Sequence, residues 1–134
     1  MNDVQETLRR LQESAGTANA ESSAIRNVLD NLGDKWSLLV GVVLAEKPHR
    51  FNELRRRLPD ISQRMLTATL RNLTRDGITT RTVYPTRPPS VEYALTPEGY
   101  AFLNAVTPLV KWAVSHHAYI LEARRRSDES QVQD

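Results

Sequence analysis

Arginine is the most frequent basic residue of this chain, and its side chains concentrate in one region. Between Lys47 and Arg87 there are ten basic residues and three acidic ones, a net charge of +7. The rest of the chain has eight basic and thirteen acidic residues and carries −5, so the whole chain carries +2. A guanidinium group can bind phosphate or the edge of guanine through two parallel hydrogen bonds. The region therefore predicts a polyanion-binding surface, although from charge alone a solvated basic face explains the count equally well.

Other kinds of chemistry find little support in the residue types. The 134 residues include no cysteine, which excludes a disulfide framework, a thiolate metal site and a cysteine nucleophile. His116 and His117 would point about 100° apart on a helix, and His49 is remote in sequence, so a shared metal ion is not expected. We find no glycine-rich phosphate loop, nucleophile–base pair or carboxylate dyad. We therefore expect no metal, no cofactor and no enzymatic activity.

The sequence also bears on where the protein resides. Its longest apolar stretch, Leu38 to Ala45, is far shorter than the roughly 20 residues that span a bilayer. Met1-Asn2-Asp3 lacks the cationic start of a signal peptide, and no apolar segment follows it. We expect a cytoplasmic protein with no membrane partner.

The central arginines lie on two predicted helices joined by a tight turn. Apolar residues recur at helical spacing from Phe51 to Leu58, and Pro59-Asp60 ends that helix. Ser62 is placed to cap a second helix, which runs to about Asp76 and stops at Gly77. So short a connection is typical of a helix-turn-helix unit.

The second helix of this pair has one apolar face and one cationic face. Leu66, Leu70 and Leu73 fall within a narrow arc that must face the core. The opposite face carries only small or cationic side chains before Asp76: Arg64, Thr67, Ala68, Arg71 and Arg75. A helix that needs only solubility usually mixes the signs of its charges, so this face favours contact with a polyanion.

The remaining elements are predicted around this pair. Helices are expected over 24–32, over 36–46 and after Thr96, and two antiparallel strands over 78–84 and 91–95, joined by a proline-rich loop. The fold class is mainly α with a small β-hairpin. We divide the chain into a weakly helical or disordered arm (1–22), one domain (23–123) and a frayed polar tail (124–134).

Several motifs in this order resemble the HxlR family of bacterial regulators, over roughly Ser23 to Trp112. They are Gly33-Asp34-Lys35-Trp36, Arg50-Phe51-Asn52-Glu53-Leu54-Arg55-Arg56, Ile61-Ser62-Gln63-Arg64-Met65-Leu66-Thr67, Leu70-Arg71-Asn72-Leu73, Asp76-Gly77 and Val91-Glu92-Tyr93-Ala94-Leu95-Thr96. The resemblance implies a winged helix-turn-helix protein that regulates transcription by binding double-stranded DNA. It further implies a homodimer formed by the first and last helices, with the helix from Ser62 to Asp76 in the major groove and the hairpin as the wing. Repression at an inverted-repeat operator is the expected activity.

Pattern and resemblance together select candidate DNA-binding residues on the second helix. Arg64 and Arg71 are candidates for base or phosphate contact, and Gln63 could read adenine through two hydrogen bonds. Thr67 is expected to meet either a thymine methyl or a phosphate. For Ser62, a helix cap and a DNA contact are equally favoured.

Further candidates lie outside that helix. Arg50 and Asn52 begin the preceding helix, where free backbone N–H groups favour a phosphate. Arg81 and Arg87 are the basic residues of the predicted wing. For the run from Arg55 to Arg57, a solvated face or an ion pair with Glu53 is as well supported as DNA contact.

The resemblance does not determine to which chemical signal the regulator would respond. Many HxlR-type proteins carry a sensing cysteine at the position of Ser23, so thiol sensing does not carry over to this chain. Trp36 and Trp112 are most simply core or dimer-interface residues, and the alternative is that they line a pocket for a small-molecule effector. The alternative function is a winged-helix module that binds proteins rather than DNA, although such modules often present an apolar or acidic face.

Overall fold

Six helices and three short strands make up the part of the chain that the computed structural model describes, residues 3–14 and 20–133. The elements in chain order are α1 (Asp3–Ser14), α2 (Ala20–Asn31), α3 (Lys35–Glu46), β1 (His49–Arg50), α4 (Phe51–Arg57), α5 (Gln63–Arg75), β2 (Thr79–Tyr84), β3 (Ser90–Leu95) and α6 (Pro97–Gln133). No helix within these ranges is long and apolar enough to cross a membrane.

The core lies where α3, α4 and α5 meet the sheet. Its buried side chains come from α3 and α4 (Val40, Val43, Leu44, Leu54), from α5 (Leu66, Leu70, Leu73) and from the connections (Leu32, Ile61, Ile78). The leucines that the sequence placed on one arc of α5 are at most 1% exposed, which confirms that this face is the buried one. Burial of α5 along this arc is what fixes the orientation of its opposite face.

Both ends of α5 are set by the residues predicted to set them. The Ser62 hydroxyl oxygen accepts a hydrogen bond from the backbone N–H of Met65 at 3.0 Å. At the other end Gly77 has a φ of 77°, and the Ile78 N–H donates to the Leu73 carbonyl at 2.9 Å. This left-handed turn satisfies a free helix carbonyl and leads straight into β2.

The predicted hairpin is present and gains a third strand. β2 and β3 pair antiparallel from Thr79 opposite Leu95 to Tyr84 opposite Ser90, and β1 joins the other edge of β3. The sequence did not predict β1, since a two-residue strand after Pro48 has no periodicity to detect. It ties the start of α4 to the hairpin. Together with α3, α4 and α5, this sheet confirms the winged helix-turn-helix architecture.

The terminal helices are longer than predicted. α2 begins at Ala20, so it crosses the boundary expected after residue 22, and Asp3–Ser14 is helical. The expected frayed tail from residue 124 was wrong, because α6 continues to Gln133. Arg125 pairs with Glu122 and Glu129, and these pairs one turn apart support a helix that the apolar pattern does not predict. Residues 1–2 and 15–19 of the predicted arm lie outside the described ranges.

Candidate nucleic-acid interface

The exposed face of α5 forms a shallow groove with cationic ends. Gln63, Arg64, Thr67, Ala68 and Arg71 line it, and all five side chains are exposed. In the described ranges, neither Arg64 nor Arg71 pairs with a carboxylate. Two unpaired guanidinium groups therefore face solvent from one side of a rigidly packed helix.

Two hydroxyl groups, one at the N-cap of α5 and one within the helix, already have intramolecular roles. Ser62 caps the helix, which confirms one of the two roles open to it, while its contact with DNA stays a prediction. The Thr67 hydroxyl donates to the carbonyl oxygen of Gln63 at 2.8 Å. Both oxygens are thus oriented by the helix backbone.

The wing continues this surface. Arg81 on β2 lines a second groove together with Thr67, Arg71 and Tyr93, which links the outer face of α5 to the sheet. Because Thr67 and Arg71 line both grooves, the two grooves adjoin.

A third groove joins the start of α4 to the wing loop. Arg50, Phe51 and Asn52 line one side, and the loop from Thr86 to Val91, which includes Arg87, lines the other. β1 accounts for this proximity, because Arg50 pairs with Glu92 of β3 and so holds α4 against the hairpin. The structure thus groups the predicted candidates outside α5 as Arg50, Asn52 and Arg87 in one groove and Arg81 beside Arg71.

The arginine run at the end of α4 is partly held by an ion pair with α3. Arg57 donates two hydrogen bonds to Glu46 of α3, at 2.7 and 2.9 Å, so its ion-pair partner is Glu46 and not Glu53, which was one of the alternatives left open. These bonds lower the pKa of Glu46 and raise that of Arg57. Glu53 instead accepts the backbone N–H of Arg50 at 3.0 Å, and this bond lowers the pKa of Glu53. Arg55 and Arg56 are exposed.

The aromatic and histidine side chains have separate surroundings. Trp36 packs against the core, with the Lys35 ammonium 4.6 Å from its ring centroid. Trp112 is 53% exposed and stacks on His116 at 4.8 Å between ring centroids. His49 is buried and contacts the Lys47 carbonyl through Nδ1 at 2.7 Å. Within the described ranges, no three metal-ligating side chains come together.

One cavity was missed by the sequence analysis. It lies between α2 and the end of α5, has a volume of about 370 Å³, and is lined by Asn27, Val28, Asn31, Leu32, Asn72, Arg75 and Asp76. No periodicity or motif brings α2 to this end of α5, so only the tertiary structure reveals it.

A cationic, solvent-facing second helix in a helix-turn-helix, flanked by a basic wing, defines the class of winged helix-turn-helix transcriptional regulators. The chain belongs to the HxlR-like helix-turn-helix family, whose model matches residues 31–120. This match confirms the resemblance that the motifs indicated.

Individual relatives agree with this assignment. The HTH-type transcriptional regulator YtfH of Escherichia coli is 37% identical over 113 residues, which are 84% of this chain and 90% of that protein. YdeP of Bacillus subtilis is 36% identical over 123 residues, 90% of this chain and 96% of the relative. Among solved structures, the redox regulator HypR in its reduced form superposes with a TM-score of 0.67 at 40% identity, covering 75% of this chain and 98% of HypR.

Proposed function

We propose that the protein is a sequence-specific repressor that binds an inverted-repeat operator as a homodimer, with α5 in the major groove. The observation that carries this proposal is the outward face of α5, where Arg64 and Arg71 have no acidic partner in the described part of the chain. An unpaired guanidinium on a rigid helix can bind guanine or phosphate without first breaking an ion pair.

The other candidate residues divide between base reading and positioning. Gln63 is proposed to read adenine and Ser62 to contact the DNA next to its capping bond. Arg50 and Asn52 are proposed to bind phosphate where α4 begins. Arg81 and Arg87 would follow the backbone or the adjoining minor groove from the wing.

The homodimer is supported by apolar surface that one chain leaves uncovered. Large exposed apolar side chains lie on α2 (Ile25, Val28, Leu29) and along α6 (Leu109, Val110, Trp112, Val114, Tyr119, Leu121). Val114, for example, is 75% exposed. Exposed large apolar side chains in such number on two helices favour an interface, and a second copy would bury them.

A small molecule is proposed as the releasing signal. HypR is named as a redox regulator, but this chain has no cysteine with which to perform thiol chemistry. The residues proposed to line the site of this small molecule are Trp36, which packs against the core, and Trp112, which is half exposed on α6. Such a ligand would shift the equilibrium between DNA-competent and DNA-incompetent dimers only if it bound the two forms with different affinities.

Selection from a random-sequence duplex library tests DNA binding and its symmetry. We expect an enriched inverted repeat whose half-site centres are about one helical turn apart, because two-fold protein symmetry imposes two-fold symmetry on the site. Affinity should fall steeply with salt. Recovery of no common sequence would contradict the proposal. A reporter gene that the protein does not repress would contradict its assignment as a repressor.

Light scattering tests the dimer. At micromolar concentration we expect a mass near twice the 15.2 kDa of one chain. Val114→Glu, which puts a charge into the uncovered apolar surface, should shift the mass toward that of one chain, whereas Arg55→Glu on the exposed end of α4 should not. A wild-type monomer would contradict the homodimer.

A further inference from the structure

We infer that Thr67 and Ala68 form a thymine-methyl subsite on α5, which selects thymine at a defined position of each half-site. The inference deepens the proposed function and rests on it, since it assigns a base preference to the same face of α5. It is carried by the hydrogen bond that Thr67 makes and by the positions of its neighbours.

The hydroxyl of Thr67 is not free to bind phosphate. Its single hydrogen is donated to the Gln63 carbonyl at 2.8 Å. A phosphate oxygen can only accept hydrogen bonds, so a phosphate contact through this hydroxyl would require the internal bond to break. Of the two roles that the sequence left open for Thr67, the structure favours the one that uses its methyl group.

Ala68 extends this methyl group into a small apolar patch. It is exposed, and its only side-chain atom is a methyl carbon. Both residues line the groove that also contains Arg64 and Arg71. Arg64 precedes Thr67 and Ala68 by three and four residues and Arg71 follows them by four and three, so the patch lies between the two guanidinium stems on the helix surface.

The chemical groups on the edges of the bases decide which of them the patch of Thr67 and Ala68 would contact. In the major groove the C5-methyl of thymine is the apolar group that distinguishes one base pair from another, and the remaining features are hydrogen-bond donors and acceptors. Two methyl groups between two cations would contact it while the guanidinium groups bind adjoining bases or phosphates. Cytosine lacks this methyl group and presents an amino donor at C4, to which Arg64 and Arg71 cannot offer an acceptor.

The experiment uses the duplex that the wild-type protein selects from the random library. Each thymine is replaced in turn by deoxyuridine, which removes only the C5-methyl. We expect affinity to fall about fourfold at one position per half-site, the effect of one buried methyl group, and to stay unchanged at the other positions.

Two matched variants distinguish the contribution of the Thr67 methyl group from that of its hydroxyl group. Thr67→Ser keeps the hydroxyl and removes the methyl, so it should lose most of the discrimination between thymine and uracil. Thr67→Val keeps a methyl group at that place and removes the hydroxyl, so it should retain the discrimination. Adding Ala68→Gly to Thr67→Ser should abolish the discrimination between thymine and uracil. Because glycine weakens helices, the helix content of this double variant is checked by circular dichroism.

The outcomes also distinguish this inference from the proposed function. If the protein selects a duplex but uracil substitution has no effect at any position, the subsite is wrong and the proposed function stands. Thr67→Val could instead weaken binding equally to the selected duplex and to its deoxyuridine-substituted form, while Thr67→Ser leaves both affinities unchanged. In that case the hydroxyl contacts DNA, and the inference is overturned. If no duplex is selected at all, both are overturned.

Discussion

At the scale of single residues, arginines that look alike in the sequence differ in what already binds them. Arg57 is held by Glu46, and Arg125 by Glu122 and Glu129. Arg64 and Arg71 have no such partner among the described residues. The net charge of the central region therefore overstates how many of its guanidinium groups can neutralise phosphates, because a paired arginine must first give up its carboxylate.

This difference gives a prediction with an internal control. Arg64→Ala and Arg71→Ala should each weaken binding to the selected duplex by about 1–3 kcal/mol, the value of a good base contact. Arg57→Ala should have little effect on that affinity, because its side chain is bound to Glu46. Gel-shift titration with parallel circular dichroism measures both effects. Wild-type affinity in the Arg64 and Arg71 variants would refute their assignment.

The sequence predicts the positions of these residues but not their partners. The spacing of three leucines was enough to place Arg64, Thr67 and Arg71 on the outer face of α5. In contrast, Glu46 and Arg57 are eleven residues apart on different helices, so their contact depends on how α3 and α4 pack. The side-chain orientation of Thr67 likewise depends on a choice among hydrogen bonds that the sequence leaves open.

At the scale of elements, strong local signals gave correct boundaries and weak ones did not. The cap at Ser62 and the stop at Gly77 predicted α5 almost to the residue. β1 was missed because its two residues become a strand only through pairing with β3, about 40 residues later. The end of α6 was missed because apolar periodicity does not extend into its last turns, which instead carry ion pairs along the helix surface.

The start of α6 requires a close approach that only glycine permits. A Cβ atom at Gly99 would collide with the Ile78 carbonyl oxygen and would lie 2.7 Å from the Leu95 side chain. Gly99→Ala should therefore lower the free energy of unfolding by about 1–3 kcal/mol, as overpacking does. Glu98→Ala, at the exposed neighbouring position, should change it by less than about 0.5 kcal/mol. Thermal unfolding at one fixed protein concentration makes the comparison, and equal stability of both variants would rule out the steric account.

The end of α6 gives a prediction about pH. Hydrogen bonds from Arg125, and secondarily Arg126, lower the pKa of Glu122. A carboxylate with a lowered pKa stabilises the helix above its ordinary pKa, and this stabilisation is lost as the pH falls through the lowered value. We expect Arg125→Gln to raise the pKa of Glu122 toward that of a free glutamate, measured by NMR titration of its carboxyl carbon. An unchanged pKa would show that the pair does not persist in solution.

At the scale of the whole molecule, charge and apolar surface belong to different elements. The basic grooves are formed by α4, α5 and the wing, whereas the uncovered apolar side chains lie mainly on α2 and α6. The sequence showed the charge division along the chain, and the structure adds that many apolar residues of α6, such as Leu109, Trp112 and Val114, stay exposed in one chain. This separation fits a dimer whose joining helices leave both copies of α5 free to reach DNA.

The last prediction concerns the signal that would release the proposed repressor from DNA. Thiol oxidants and electrophiles act on a thiolate, and none of the 134 residues is a cysteine, so diamide should leave operator affinity unchanged. Ser23 lies exposed on α2, and a serine hydroxyl can neither form a disulfide nor add readily to an electrophile at neutral pH. Operator affinity is measured before and after treatment with diamide and glutathione. The Ser23→Cys variant, which should gain the mass of one glutathione per chain, verifies that the reagent is active. A large loss of wild-type affinity that dithiothreitol reverses would contradict the argument and would require a redox-sensitive group other than a thiol of this sequence.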